Sequence, residues 1–243
     1  MSRPRRRVAL FALLVALGAA GLAYALAQRQ PAPLPPRAPD ERPTLLLLTS
    51  LPLVFGEQFS LEPGGSPALK ALATRYRVIP ISVTDEADLA RGRLLLMAQP
   101  RAQPAEDLVA LDDWVRGGGR VLLLADPMLE WPSERPLGDP LRPPPMFMDT
   151  GLLGHWGLRL DTPDERGPKR ARLGGYAVLT DSPGSLWGRC DISRDRLVAH
   201  CRIGHGRATI VADADFLDVQ RLGNDARGNL DGLLGEIARL ERK

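Results

Sequence analysis

The chain has 243 residues, of which 44% are hydrophobic and 25% charged, with two cysteines and a formal net charge of +3 at pH 7. This composition excludes disorder over most of the chain, and two cysteines exclude a disulfide-dense scaffold or a four-thiolate zinc site. Four N-terminal arginines supply the positive charge, so residues 8–243 carry a net charge of −1. Nucleic acid is therefore not an expected partner, because the body has no basic run interleaved with aromatic residues.

The first predicted element is a membrane segment. Twenty uncharged residues follow the arginines, beginning at Val8 and ending at Ala27. As a helix they would span ~30 Å, the thickness of the hydrocarbon core of a bilayer. The preceding arginines predict a cytoplasmic N-terminus and an exported, periplasmic remainder. Residues 1–28 are then either an uncleaved signal-anchor or a cleaved signal peptide, since residues 25–27 have the small-x-small pattern of a cleavage site.

Residues 29–43 form a predicted linker, which contains six prolines between Pro31 and Pro43. This density favours the polyproline II conformation, which extends by ~3.1 Å per residue, so the segment could act as a spacer of up to ~40 Å. The remaining residues, 44–243, are expected to form one folded domain.

The first half of this domain alternates strand and helix patterns. We predict strands over residues 45–48, 78–83, 94–98 and 121–125, and helices over 67–76 and 104–116. Pro80 places the second strand at a sheet edge, because proline cannot donate to a central ladder. The strand–helix–strand order of residues 94–125 favours a right-handed crossover and a parallel sheet.

The second half begins with a long loop, residues 126–145, that contains seven prolines. It continues with a predicted helix over 147–156 and strands over 158–160, 176–179, 196–203 and 207–212. The turn Gly204-His205-Gly206 joins the last two strands as a hairpin, and a helix over 229–240 closes the chain. The predicted fold is a three-layer α/β domain with a mostly parallel sheet and a late antiparallel hairpin, preceded by one transmembrane helix.

Three stretches carry a family resemblance: residues 49–57 after the first strand, 118–127 across the fourth, and 204–216 across the last. Together they resemble the auxiliary proteins of gliding-motility-type ABC transporters, whose exported domain is similar to the class I glutamine amidotransferase-like fold. The resemblance covers roughly residues 44–220. It implies a membrane-anchored accessory domain without established catalysis that works beside a transporter.

Amidotransferase-like enzymes use a cysteine nucleophile on a sharp strand-to-helix turn. The third and fourth predicted strands end in MAQP (97–100) and ADPM (125–128), neither of which contains cysteine. No Gly-x-Ser-x-Gly elbow or phosphate loop is present either. Cysteine-based amide transfer is therefore not expected, and the sequence leans against an enzyme.

Five polar residues are candidates for binding at the carboxyl ends of the strands. Asp126, Asp213 and Asp215 follow predicted strands, Glu57 lies in the loop after the first strand, and Ser50 begins that loop. In open α/β sheets this edge is where ligands bind, and clustered carboxylates could hold a divalent cation or act as acid and base. The alternative is structural, because aspartates after strands cap helices and serines stabilise turns.

Cys190 and Cys201 could form a disulfide, worth ~3 kcal/mol for so short a loop. Cys201 could equally be a buried thiol, because Leu197, Ala199 and Ile203 share its strand face. His155, His200 and His205 lack metal-ligand spacing, so we expect no metal and no cofactor.

Two functions remain open from the sequence. The leading one is a membrane-tethered, non-catalytic accessory domain that binds a protein partner in an ABC-type transporter or other envelope complex. The alternative is an exported hydrolase, or a metal- or sugar-binding enzyme, that uses the carboxylates at the strand ends.

Overall fold

The computed structural model describes residues 30–55 and 65–242. The predicted membrane segment at residues 8–27 and the candidate Glu57 lie outside these ranges. Within them, no helix is both long enough and apolar enough to cross a bilayer.

The described residues form eleven strands, and seven of them make one central sheet in the order β2-β1-β3-β4-β11-β10-β9. The first five of these run parallel, while β10 and β9 are antiparallel to their neighbours. The strands are β1 (Thr44–Thr49), β2 (Arg77–Pro80), β3 (Leu94–Ala98), β4 (Arg120–Leu124), β5 (Leu158–Asp161), β6 (Pro168–Leu173), β7 (Tyr176–Asp181), β8 (Ser185–Gly188), β9 (Asp191–Ile192), β10 (Val198–Ile203) and β11 (Gly206–Val211).

The central strands are buried along almost their whole length. All five residues of β3 and four consecutive residues in each of β1 and β4 are buried. Because successive strand residues point to opposite faces, continuous burial means that both faces of the sheet are covered. The mixed α/β fold, its mostly parallel sheet and its late antiparallel hairpin are therefore confirmed.

Six α-helices lie in the part of the chain that the structure describes: α1 (Pro67–Ala73), α2 (Glu86–Leu89), α3 (Ala105–Arg116), α4 (Leu152–His155), α5 (Val219–Leu222) and α6 (Asn229–Arg242). Helix α6 packs on β4 and α1, whereas α3 packs on β11 and α2. Ser66 caps α1 by accepting a hydrogen bond from the Leu69 N–H at 3.1 Å. Asp85 caps α2 in the same way.

The predicted helix over 147–156 is only partly correct, because α4 begins at Leu152. The Phe147 N–H donates to the Asp126 carbonyl at 2.6 Å, which holds the preceding residues against the end of β4. Gly151 has a φ of 106°, and the Asp149 carboxylate accepts from the N–H groups of Gly151 and Leu153. The chain therefore turns into the helix only after Gly151.

Two further hairpins lie outside the central sheet, where β5 pairs with β8 and β6 pairs with β7. The sequence did not predict β6, β8 or β9. Strand β6 reads PKRARL and is mostly exposed, so it has no alternating apolar pattern to reveal it. Strands β8 and β9 are four and two residues long.

The second half of the predicted linker packs against the folded domain. The Arg37 N–H donates to the Thr74 carbonyl at 2.9 Å, and the Arg37 guanidinium pairs with Glu241 at 2.9 Å. Arg75 donates to the Pro35 carbonyl, and Leu34 packs against the core. These contacts shorten the part of the linker that could act as a free spacer.

Cys190 and Cys201 form a disulfide, with their Cα atoms 4.8 Å apart. Asp191 and His200 pair across β9 and β10, so the disulfide joins the next positions of the same antiparallel ladder. It links the short edge strand β9 covalently to its neighbour β10.

Replacing both cysteines (Cys190→Ala with Cys201→Ala) should lower the free energy of unfolding by about 2–3 kcal/mol, because the unfolded chain loses a short closed loop. Urea unfolding of the purified protein measures this change. A reducing agent should bring the wild type to the midpoint of the variant and leave the variant unaffected. Equal midpoints in oxidised wild type and variant would contradict the prediction.

Candidate functional site

The three candidate aspartates lie together at the carboxyl edge of the sheet. Strands β4 and β11 are parallel neighbours with Leu124 opposite Val211, so the residues that follow them emerge side by side. Asp126 follows β4, while Asp213 and Asp215 follow β11. All three are fully buried.

Both carboxylate oxygens of Asp126 accept hydrogen bonds from the main chain. Its Oδ1 accepts from the Met128 N–H, and its Oδ2 accepts from the Ala214 N–H, both at 2.8 Å. The first bond stabilises the turn after β4. The second joins that turn to the segment after β11.

Asp213 and Asp215 make the same kind of contact. Asp213 accepts from the Phe216 N–H at 2.9 Å, as a cap does, and from the Asp181 N–H at 3.2 Å at the end of β7. Asp215 accepts from the Glu130 N–H at 2.7 Å. These are the capping and turn contacts that the structural interpretation of the aspartates predicts. A ligand-binding role for the three carboxylates stays a prediction.

One arginine supplies the positive charge that faces these acids. Arg221, at the end of α5, contacts Asp181 at 2.6 Å, Asp215 at 3.0 Å and Asp218 at 3.3 Å. We call Asp126, Asp181, Asp213, Asp215 and Arg221 the acid network. Sequence reasoning missed Asp181 and Arg221, because only the i, i+3 spacing of Asp218 and Arg221 is visible in the sequence.

Burial changes the protonation of the network. Desolvation is the main cause that raises the pKa of Asp126 to about 6, and main-chain N–H donors oppose it. Desolvation and the Asp126 charge together raise the pKa of Asp215 to about 7. The pKa of Asp213 is raised well above its usual value by burial and by both neighbouring carboxylates. The network therefore retains protons at a pH where exposed aspartates have lost them.

Gln99 connects the network to the neighbouring strand. It follows β3 with a φ of +45°, in the left-handed region that costs energy for a residue other than glycine. Its side-chain amide accepts from the Asp126 N–H at 2.9 Å and donates to the Asp126 carbonyl at 3.1 Å. The end of β3 therefore carries a residue with a positive φ, whose buried amide has both its oxygen and its nitrogen engaged.

Ser50 lies beside the same turn. Its hydroxyl donates to the main-chain carbonyl of Gln99, so it ties the end of β1 to the end of β3. Glu57 lies outside the described residues. Across residues 30–55 and 65–242, no group of three or more His, Cys, Asp or Glu side chains has the arrangement of a metal site.

Comparison with known proteins gives the fold and no family. No protein-family model matches the chain, and no curated protein matches it by sequence. The exo-beta-1,4-mannosidase Op5Man5 from Opitutaceae bacterium strain TAV5 is similar over 82% of this chain, with a TM-score of 0.50 and 14% identity. The chain spans 36% of that enzyme's length. The mmIFT52 N-terminal domain is similar over 81% of this chain and 96% of its own, with a TM-score of 0.53 and 13% identity. These identities show a shared fold alone.

The raised pKa values predict that the protein is more stable in mild acid than at pH 8. Unfolded aspartates lose their protons near pH 4, whereas Asp126 and Asp215 keep theirs until about pH 6 and 7. Between pH 4 and 7 the folded state binds more protons, so its stability falls as the pH rises through that window. The free energies of unfolding measured with urea at pH 5 and pH 8 should differ by on the order of 4 kcal/mol. Asp215→Asn should reduce this difference, and an unchanged difference in that variant would contradict the assignment.

Removing the cation of the network should destabilise the fold most where the acids are ionised. Arg221→Met should lower the free energy of unfolding by about 2–3 kcal/mol at pH 8 and by less at pH 5, because protonated carboxyls no longer repel one another. Arg170→Met is the matched control, since Arg170 pairs with Asp225 on the exposed surface. That control should cost less than about 0.5 kcal/mol at either pH. Equal losses in the two variants would contradict the role of Arg221.

Proposed function

We propose that this chain is a membrane-tethered accessory protein, with one transmembrane helix followed by an exported, non-catalytic, three-layer α/β domain. In this proposal it acts with an ABC-type transporter or another envelope complex. The observation that carries the proposal is the use of all four carboxylate oxygens of Asp126 and Asp213 as acceptors for main-chain N–H groups. At the edge where α/β enzymes place catalytic groups, these acids stabilise the fold instead.

The sequence supports export. The arginines before the uncharged run of residues 8–27 are typical of a segment that keeps its N-terminus in the cytoplasm. The disulfide between Cys190 and Cys201 agrees with this orientation, because such bonds persist in oxidising compartments and are rare in the cytosol.

The long loop over the carboxyl edge supports a protein partner. Residues 126–150 expose four large apolar side chains, with Leu137 80% and Leu141 66% exposed, together with Met146 and Met148. The loop itself is fixed to the domain, because the Glu130 N–H donates to the Asp215 carboxylate and the Gln99 side-chain amide donates to the Pro144 carbonyl. Apolar side chains held in water on a fixed loop favour a surface that another protein covers. We call these four residues the loop patch.

The resemblance to auxiliary proteins of gliding-motility-type ABC transporters supports the identity of that partner. A permease or an ATPase encoded by a neighbouring gene would be the first partner to test.

The alternative is an exported hydrolase, or a metal- or sugar-binding enzyme. The elevated pKa values of Asp126 and Asp215 favour it, because general acids need values near the operating pH. The mannosidase with the same fold makes a sugar ligand the natural choice for a trial. Saturable binding of a sugar or a divalent cation that Asp126→Asn abolishes would favour this alternative over the accessory role.

The full chain should remain in the membrane fraction after an alkaline wash and should co-purify in mild detergent with a permease or ATPase in a fixed stoichiometry. Leu137→Ser with Leu141→Ser should lower the recovered partner at least fivefold, because the loop patch loses its apolar contact. The recovery is measured by quantitative mass spectrometry against the recovered chain.

Val109→Ser is the matched control, because Val109 is 61% exposed on α3. It should leave the recovery of the partner unchanged. Recovery of no transporter component in several detergents, or equal losses in the loop-patch and control variants, would contradict the proposal.

A further inference from the structure

A row of arginines crosses the opposite edge of the sheet, where the parallel strands begin. Arg120 on β4 lies directly opposite Arg207 on β11, and Arg207 lies directly opposite Arg202 on β10. Residues in register on neighbouring strands are about 4.5–5.5 Å apart and point to the same face. Three like charges in such a row repel one another and destabilise the pairing of the strands.

Helix α6 completes this arrangement. Its last turns bring Arg239 beside the row, so that Arg202, Arg207 and Arg239 line one cleft of about 160 Å³. Arg120 is engaged elsewhere, because it donates to the Glu241 carbonyl near the end of the same helix. The cleft therefore gathers three guanidinium groups from three different elements.

These three guanidinium groups have no ion-pair partner among the residues that the structure describes. His200, which also lines the cleft, is engaged with the buried carboxylate of Glu236, with its Nε2 at 2.7 Å. Asp191 lines the cleft as well, but it is exposed and forms no ion pair. Three arginines and one carboxylate, that of Asp191, line the cleft, so its net charge is about +2.

We infer that this cleft is a binding site for a phosphate-class dianion, which we call the arginine cleft. A dianion balances the excess charge, and guanidinium groups match the oxygens of phosphate with paired hydrogen bonds. The small volume excludes a drug-sized ligand, whose pockets measure roughly 300–1,000 Å³. The ligand is then inorganic phosphate or the phosphate monoester of a larger molecule whose remainder stays outside. This inference does not depend on the proposed accessory function.

The bound dianion removes a repulsion that the free protein retains. Binding therefore stabilises the fold directly, and it also joins β10, β11 and α6 through one ligand. A saturating ligand at about ten times its Kd should raise the Tm of a domain of this size by about 3–6 °C.

The test is a titration of the full-length, detergent-solubilised protein with sodium phosphate and with glycerol phosphate. Sodium chloride at the same ionic strength is the reference, and the Tm and calorimetric Kd are the readouts. We expect a saturable rise in Tm with phosphate and none with chloride. Tighter binding of glycerol phosphate would assign the cleft to phosphate monoesters, such as the headgroup of phosphatidic acid, and tighter binding of inorganic phosphate would assign it to the free ion.

The variant Arg207→Gln with Arg239→Gln should weaken the binding at least tenfold. The control Arg170→Gln with Arg172→Gln removes the same charge from the exposed strand β6 and should bind as the wild type does. Arg202→Gln provides a second variant that does not endanger folding, because Arg202 is exposed, and it should also weaken binding. No saturable binding, a rise equalled by chloride, or equal losses in the control would overturn the assignment.

Discussion

The hydrogen bond from the Ala214 N–H to the Asp126 carboxylate is the contact on which the carboxyl edge depends. It joins the exits of β4 and β11, and the remaining contacts continue from it: Asp213 holds the end of β7, and Asp215 holds the long loop at Glu130. Three segments far apart in sequence are therefore positioned by buried acids. These acids therefore contribute to the fold at the edge where open α/β sheets usually bind ligands.

The core of the fold was predictable because its forces are local. Strands β1, β3 and β4 are continuous apolar runs, and the residues after them are charged or polar, so their burial and their ends follow from sequence pattern. The candidate aspartates followed from the same reasoning, since parallel strands end at one edge. The sequence also left the pairing of the two cysteines open, because it does not show that β9 lies beside β10.

The rest depended on contacts that the sequence does not display. Asp181 and Arg221 are forty residues apart and meet only because β7 ends beside α5. The predicted helix over 147–156 was shortened because Phe147 is bound to Asp126, a partner twenty-one residues earlier. Strand β6 is charged and exposed, so the alternation of apolar residues that predicts a half-buried strand is absent from it. In each case tertiary contacts determined a feature that local sequence propensity does not predict.

Two buried amides, those of Gln99 and Asn229, form hydrogen bonds with the main chain near the buried acids. Asn229 accepts from the Leu179 N–H and donates to the carbonyls of Leu179 and Phe216, much as Gln99 bonds both main-chain groups of Asp126. Amide side chains do not titrate, so these bonds persist at every pH, whereas those of Asp126 and Asp215 change with protonation. Gln99 therefore holds the turn after β4 and Asn229 holds β7, while the acids set how stable that arrangement is. A rise in pH should accordingly lower the stability of this edge through the burial and mutual repulsion of the ionised acids, while the hydrogen bonds of the amides do not change.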